Sequence, residues 1–290
     1  MDDYIIRASA KGGFARVFAA LSRNTTEKSR KLHNTSPVAT AALGRTLTGT
    51  AMMGLMLKNE GDLITVSIKG DGPLGGILVT ANKNADVKGY VLNPDVFIPS
   101  KPNGKLDVSG AVGGGTLSIV RDSGLKEPYV GKIPLVSGEI AEDLTYYFAK
   151  SEQIPTSIGL GVLVDVDGAV LQAGGFIVQL LPGCDAAFAD ELQQKITEMP
   201  TVTTLLSSGK SIEEIIEDLI PDIEIFEKLP MRYHCDCSRE RIEKALIAVG
   251  RDDLTKIIKE DHGAEICCHF CDKTYKFNEA ELTDLRDSQE

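Results

Sequence analysis

What this sequence has little of narrows its class first. Six cysteines in 290 residues are too few for a disulfide scaffold. No apolar run approaches the roughly 18–20 residues a membrane helix needs. The longest, such as residues 175–181, are strand-length. Histidine is scarce too: only His33, His234, His262 and His269 occur, and neither G-x-S-x-G nor H-E-x-x-H is present, so the common hydrolase constellations are missing. There is no internal repeat and no low-complexity tract. The start, Met1-Asp2-Asp3-Tyr4, is acidic and reaches Arg7 quickly, the wrong order for a secretory signal. The expectation is a cytoplasmic protein with no membrane partner.

The composition that remains is globular, at 42% hydrophobic and 25% charged, and the length suits about two domains. The net charge of −11 is uneven. Residues 1–180 carry 18 basic and 17 acidic groups, whereas residues 181–290 carry 13 and 25. So acidic a C-terminal part is a poor match for duplex nucleic acid, whose phosphates need a basic footprint.

Hydrophobic patterning gives an α+β chain, a mixed N-terminal domain with β-sheets flanked by helices. Residues 35–58, rich in Ala, Met and Leu, read as a buried helix. Short strands follow at Leu63–Ile68, Gly76–Ala81, Val87–Leu92 and Leu117–Val120, then a helix over Glu139–Phe148. A hairpin with arms Ile158–Asp165 and Val170–Leu180 closes the domain at residue 181, its turn made by Asp165 and Asp167-Gly168. Residues 182–231 read as an acidic, amphipathic helical linker. One of its helices ends at Pro200, and another starts with Ser211 and Glu214 in a capping-box pattern and ends at Pro221. From residue 232 a third, small domain begins, with helices over Ser238–Val249 and Asp252–Lys259. A hairpin of Glu265–Cys268 and Tyr275–Phe277 follows, and then a helix capped by Asn278 and Glu281. A piece this short needs more than its own core, and a metal would supply the difference.

Gly70-Asp71-Gly72-Pro73-Leu74-Gly75 matches the dinucleotide pattern G-x-G-x-x-G, but a strand follows where a helix is required, so it reads as a turn. Arg7, Lys11, Arg16, Arg23, Lys28, Arg30, Lys31 and Arg45 form a basic strip, either a solvated face or a support for the acidic linker. Cys184 reads as an incidental loop thiol.

The sharpest signal is Cys235-Asp236-Cys237 with Cys268-His269-Phe270-Cys271. Two close thiol pairs in a small segment can present four thiolates tetrahedrally to zinc. Cys267 is left over and reads as a small hydrophobe in a strand. His234 and His269 adjoin the cysteines, so substitution of a thiolate by either stays open. Thiolates are also what oxidants attack, so the same site can be closed by metal and opened by oxidation. Spacing alone does not say whether it is used so.

These residues carry a resemblance. Cys235-x-Cys237-Ser238-Arg239-Glu240-Arg241, Glu265-Ile266-x-Cys268-x-Phe270-Cys271 with Tyr275-x-Phe277, and Gly138-Glu139-Ile140-Ala141-Glu142-Asp143-Leu144 leading to Tyr147-Phe148 and Ser151-Glu152-Gln153 resemble the heat-shock protein 33 family of redox-regulated bacterial chaperones. The resemblance spans essentially the whole chain. It implies an ATP-independent holdase, not an enzyme, holding one zinc per chain through Cys235, Cys237, Cys268 and Cys271 when reduced. It implies disulfides Cys235–Cys237 and Cys268–Cys271 on oxidation, zinc release, unfolding of the C-terminal region, and homodimers that bind unfolding clients. A zinc-ribbon module for nucleic acid or transcription machinery and a thiol–disulfide oxidoreductase are the alternatives. The first calls for a basic surround, whereas residues 181–290 are net −12, and the second calls for a C-x-x-C at a helix start, whereas Cys268 and Cys271 fall in the expected hairpin.

Overall fold

Between Val38 and Gly54 every residue except Arg45 is buried, so this helix has no solvent face to keep polar. That is possible because it runs between two sheets. The structure, a computed structural model, describes residues 2–288 and divides into two units between His234 and Cys235.

The first unit opens with a hairpin, β1 (Tyr4–Ala10) and β2 (Ala15–Leu21), then α1 (Arg23–His33) and the buried helix α2 (Pro37–Gly54). Next come β3 (Leu63–Gly70), β4 (Ile77–Asn82), β5 (Asp86–Val91), α3 (Val108–Val112), β6 (Gly115–Asp122) and β7 (Tyr129–Pro134). After α4 (Ala141–Tyr147) the long hairpin β8 (Thr156–Val164) and β9 (Val170–Leu180) leads into α5 (Ala186–Glu198), α6 (Val202–Ser207) and α7 (Ile212–Leu219). Two strands end the unit, β10 (Glu224–Pro230) and β11 (Arg232–Tyr233). One sheet has the order β10-β1-β2-β9-β8 and the other β11-β5-β4-β3-β6-β7.

Helix α2 packs on both sheets, and its core joins Ile5, Phe18 and Ile177 of the first to Val66, Ile68 and Val79 of the second. Close approach is bought with glycine: a Cβ on Gly54 would lie 2.4 Å from the carbonyl oxygen of Asn82. Thr46 and Thr48 satisfy their hydroxyls by donating to the carbonyls of Ala42 and Gly44, both at 2.8 Å. The Gly70–Gly75 segment is a turn between β3 and β4, as its residues suggested. Its first glycine is explained by crossing rather than by phosphate, since a Cβ on Gly70 would sit 1.8 Å from the carbonyl oxygen of Val112.

The opposite face of the first sheet is apolar as well, with Ile6, Ala8, Val17, Ala19, Phe176 and Val178 buried. It is covered by the linker helices through Phe188, Leu192, Val202, Leu206, Ile212, Ile215, Ile216 and Leu219. The linker is therefore folded onto the first unit, and β10 pairs antiparallel with β1, with a register shift at Arg7/Ala8. Tyr4 donates to Glu213 Oε2 at 2.7 Å, Lys228 reaches Glu213 Oε1 at 3.0 Å, and the Lys228 ammonium lies 3.6 Å from the centre of the Tyr4 ring. The basic strip does not act together on the linker. Arg7 pairs with Glu227 at 2.8 Å and Lys11 lies over Phe188, but Arg30 and Lys31 pair with Glu27 and Arg45 with Glu139.

Residues 231–234 are stitched into the first unit. Met231 and Tyr233 are buried in the α2 core. The Met231 amide donates to the Asp3 carbonyl at 3.0 Å and the His234 amide to that of Val87 at 3.0 Å. The Tyr233 hydroxyl donates to the Gly89 carbonyl at 2.9 Å, and Lys28 donates to the Tyr233 carbonyl at 3.0 Å.

The second unit comprises α8 (Arg239–Val249), α9 (Arg251–Asp261), the hairpin β12 (Gly263–Cys267) and β13 (Thr274–Asn278), and α10 (Glu279–Asp287). Its core is small: Leu246, Leu254, Ile258, Tyr275, Phe277 and Leu282. Ser238 caps α8, and the Asn278–Glu281 capping box opens α10.

Candidate metal centre

Four of the six thiols are brought together by local chain geometry within the second unit. Cys235 and Cys237 lie in the extended segment before α8, whose Ser238 side chain accepts from the Arg241 amide at 3.3 Å. Cys268 and Cys271 lie in the turn joining β12 to β13. There the Cys271 and Asp272 amides donate to the Cys268 carbonyl at 3.1 and 2.8 Å, and the Cys268 amide donates to the Lys273 carbonyl at 3.0 Å. Asp272 takes a left-handed φ of 54° to complete the turn. These bonds aim both sulfurs of the second pair at the first.

The result is a cluster in which the Sγ atoms of Cys235, Cys237, Cys268 and Cys271 all lie within 4.8 Å of one another. Cys235 and Cys268 approach to 3.8 Å and Cys237 and Cys271 to 3.3 Å. Four sulfurs at about 2.3 Å from a central ion would be spaced at about 3.8 Å, so the donor set is positioned to hold a metal ion. Among the described residues it is the only such group of three or more His, Cys, Asp or Glu side chains. His234 and His269 do not join it. All four cysteines are half-buried.

The thiols themselves are perturbed. Burial pushes Cys235 up to about 11, against the opposing backbone hydrogen bond at Cys237. Cys271 is raised as well, again chiefly by burial. Cys237 moves the other way. Burial opposes the change, but the Tyr275 hydroxyl, donating at 3.2 Å, and the neighbouring sulfurs outweigh it.

The remaining cysteines lie elsewhere. Cys184 is half-buried against the linker core. Cys267 is in strand β12 as its sequence suggested, but it is exposed rather than packed as a small hydrophobe, because β12 turns that side to solvent. Two contacts around the centre were not singled out from sequence. One is the bond from Tyr275 to Cys237. The other is Arg239, whose guanidinium lies 4.2 Å from the centre of the Phe277 ring and donates to Glu281 at 2.7 Å and to the Lys276 carbonyl at 3.0 Å. The alternation Tyr275-x-Phe277 was the available signal, since it puts both rings on one face of a strand beside the thiols.

A family model described as Hsp33 protein matches residues 3–278. The chain belongs to the heat-shock protein 33 family. Heat-shock protein 33 relatives include the 33 kDa chaperonin of Acetivibrio thermocellus, 51% identical over 98% of this chain and 97% of the relative, and that of Clostridioides difficile, 49% identical over 98% and 99%. The crystal structure of the 33 kDa chaperonin (heat shock protein 33 homolog) of Thermotoga maritima superposes with a TM-score of 0.89 at 36% identity, covering 99% of this chain and 98% of that one. The heat-shock protein 33 family is one of chaperones rather than enzymes, and a chaperone family implies binding to unfolded client proteins. No helix among the described residues is long and apolar enough to cross a membrane.

Proposed function

We propose that this chain is a redox-regulated, ATP-independent holdase of the cytoplasm that keeps unfolding or oxidatively damaged proteins from aggregating. The observation that carries the reading is the convergence of four sulfurs within 4.8 Å inside a unit whose core, among the described residues, has only six buried hydrophobic side chains. When reduced, Cys235, Cys237, Cys268 and Cys271 hold one zinc per chain. Zinc, when bound, supplies a cross-link between the two cysteine segments and keeps the sulfurs deprotonated.

The residues do the rest. A Cys thiolate attacks a peroxide oxygen, the O–O bond breaks, and hydroxide leaves. The neighbouring thiolate then attacks the sulfenic sulfur and expels a second hydroxide. Each pair gives up two electrons, yielding Cys235–Cys237 and Cys268–Cys271, and the two hydroxides released per peroxide take protons from solvent to become water. Sulfurs bonded at about 2.05 Å in pairs no longer present a tetrahedral donor set, so the metal site is lost and the small unit with it. The functional division then runs 1–181 as the chaperone domain, 182–231 as the linker and 232–290 as the switch, whose first three residues are anchored in the first unit. Loss of linker packing uncovers the sheet face of Ile6, Val17, Ala19, Phe176 and Val178. Exposed apolar area of that kind is what binds non-native chains and a second activated copy, giving a homodimer. Nucleic acid and membranes are not partners in this reading.

The test is zinc content beside suppression of aggregation of a heat-unfolding client, before and after peroxide. Release of about one zinc per chain with holding activity that reductant reverses is the expected result. Zinc release without holding activity would leave the cysteines a structural clasp. Mapped disulfides Cys235–Cys268 and Cys237–Cys271 would overturn the pairing.

A further inference from the structure

Tyr275 is buried in the small core of the second unit, yet its hydroxyl is spent on a sulfur: it donates to Cys237 Sγ at 3.2 Å. Strand β13 fixes the ring, pairing Tyr275 with Ile266 and Phe277 with Ala264 across the hairpin, while Lys273 lies 5.0 Å from the ring centre on the exposed side. The hydroxyl therefore has little freedom to turn elsewhere. We infer that Tyr275 is a positioning residue that restrains Cys237, holding its sulfur in the cluster and slowing its attack on oxidant. The inference rests on the thiol chemistry proposed above and adds a group that sets its rate.

A hydrogen bond to a thiolate engages electron density that would otherwise be offered to an electrophile or a metal. The attacking sulfur must give up part of that bond as the S–O bond forms, which raises the cost of attack. Forfeiting a fraction of one charge-assisted hydrogen bond slows the step about three- to tenfold. The affected step is attack of Cys237 Sγ on hydrogen peroxide. An S–O bond forms, the O–O bond breaks, and hydroxide takes a proton from solvent. Cys235 then displaces the second hydroxide to form the disulfide, the two sulfurs having passed two electrons to the peroxide.

The test compares the full chain with Tyr275→Phe, which keeps the ring and deletes the oxygen. Three readouts are taken: bound zinc, oxidation at each cysteine by mass spectrometry after a peroxide pulse, and the thiolate-to-metal charge-transfer band of the cobalt(II)-loaded protein. Expected are equal zinc stoichiometry, Cys237 oxidation about three- to tenfold faster in the variant, and a charge-transfer band moved to lower energy. Equal Cys237 rates with an unmoved band overturn the inference. A variant that loses its far-ultraviolet spectrum does so too, by making the hydroxyl a structural clasp. If the parent binds no metal, the zinc reading falls, while the Cys237 rates of the two reduced chains, compared at an alkaline pH where the thiol is ionised in both, still decide the role of Tyr275.

Discussion

At the scale of single residues, the acidic side chains that matter here are the ones given fixed partners. Glu27 in α1 accepts from Arg30 at 2.7 and 2.8 Å and from the Val170 amide at 3.0 Å, and the bond from Arg30 leads the effects that hold its carboxyl down to about 2. With the folded value below the unfolded one, ionised Glu27 stabilises the fold at neutral pH, and that contribution fades as pH falls from about 5 toward 2. Glu27→Gln should cost of the order of 1 kcal/mol at pH 7, discounted for its partial exposure to solvent. In urea titrations the gap between parent and variant should narrow between pH 5 and pH 3, and a constant gap would count against the ion-pair account. Among the cysteines, Cys235→Ser removes one of four converging sulfurs. Bound zinc should drop well below one per chain, and limited proteolysis should cut the region after residue 234 faster. Unchanged stoichiometry and unchanged cleavage would sink the ligand assignment.

At the scale of elements, stability depends on contacts that a large-to-small or small-to-large change would disturb sharply. Gly54→Ala would press a methyl group against the Asn82 carbonyl oxygen, 2.4 Å away, so α2 has to shift between its two sheets. A cost of about 1–3 kcal/mol, read as a lower thermal midpoint of the first unit, is expected. On α7, Ile216 is completely buried against the linker-covered sheet face. Ile216→Ala should cost about 2–5 kcal/mol, speed amide exchange across residues 186–230 and raise dye binding by exposed apolar surface without any oxidant. Protection equal to the parent's would show that α7 does not hold the linker down.

Elements with a local signature were the legible ones. The Ser211–Glu214 and Asn278–Glu281 boxes and the turn at Asp165–Gly168 carry their own hydrogen bonds within a few residues. Helix α1 gave no apolar stripe because its buried side chains are Thr25, Thr26 and Ser29. Strand β10 was hidden for a different reason. Its partner β1 lies more than 200 residues away, and its Ile225 and Phe226 face solvent, so neither alternation nor a nearby turn marks it. The four-cysteine cluster was legible because close cysteine spacing is itself the signal, whereas the Tyr275 contact depends on how β13 sits beside it.

At the scale of the whole molecule, the two units differ in what sustains them. The first has two sheets wrapped around a buried helix, while the second has six buried apolar side chains and a ring of four sulfurs. A chelator strong enough to strip zinc should melt the second unit alone. Hydrogen exchange should then show residues 235–288 unprotected while β2, β3 and β9 keep their protection. Global loss of protection would instead mean that the units fold as one.

The stitched segment ahead of Cys235 then acquires a meaning of its own. Met231 and Tyr233 sit in the α2 core a few residues from the first thiol, with the Tyr233 hydroxyl, carbonyl and neighbouring amides all engaged. Fraying that starts at the cysteines meets a firebreak there: to travel further up the chain it must first pull an aromatic ring out of a close-packed interior. In the proposed activation, disorder at the C-terminal end and release of the linker are then successive steps, the second waiting on that ring. A chain built this way would enter the proposed activation through its last 54 described residues and reach the linker only when that ring lets go.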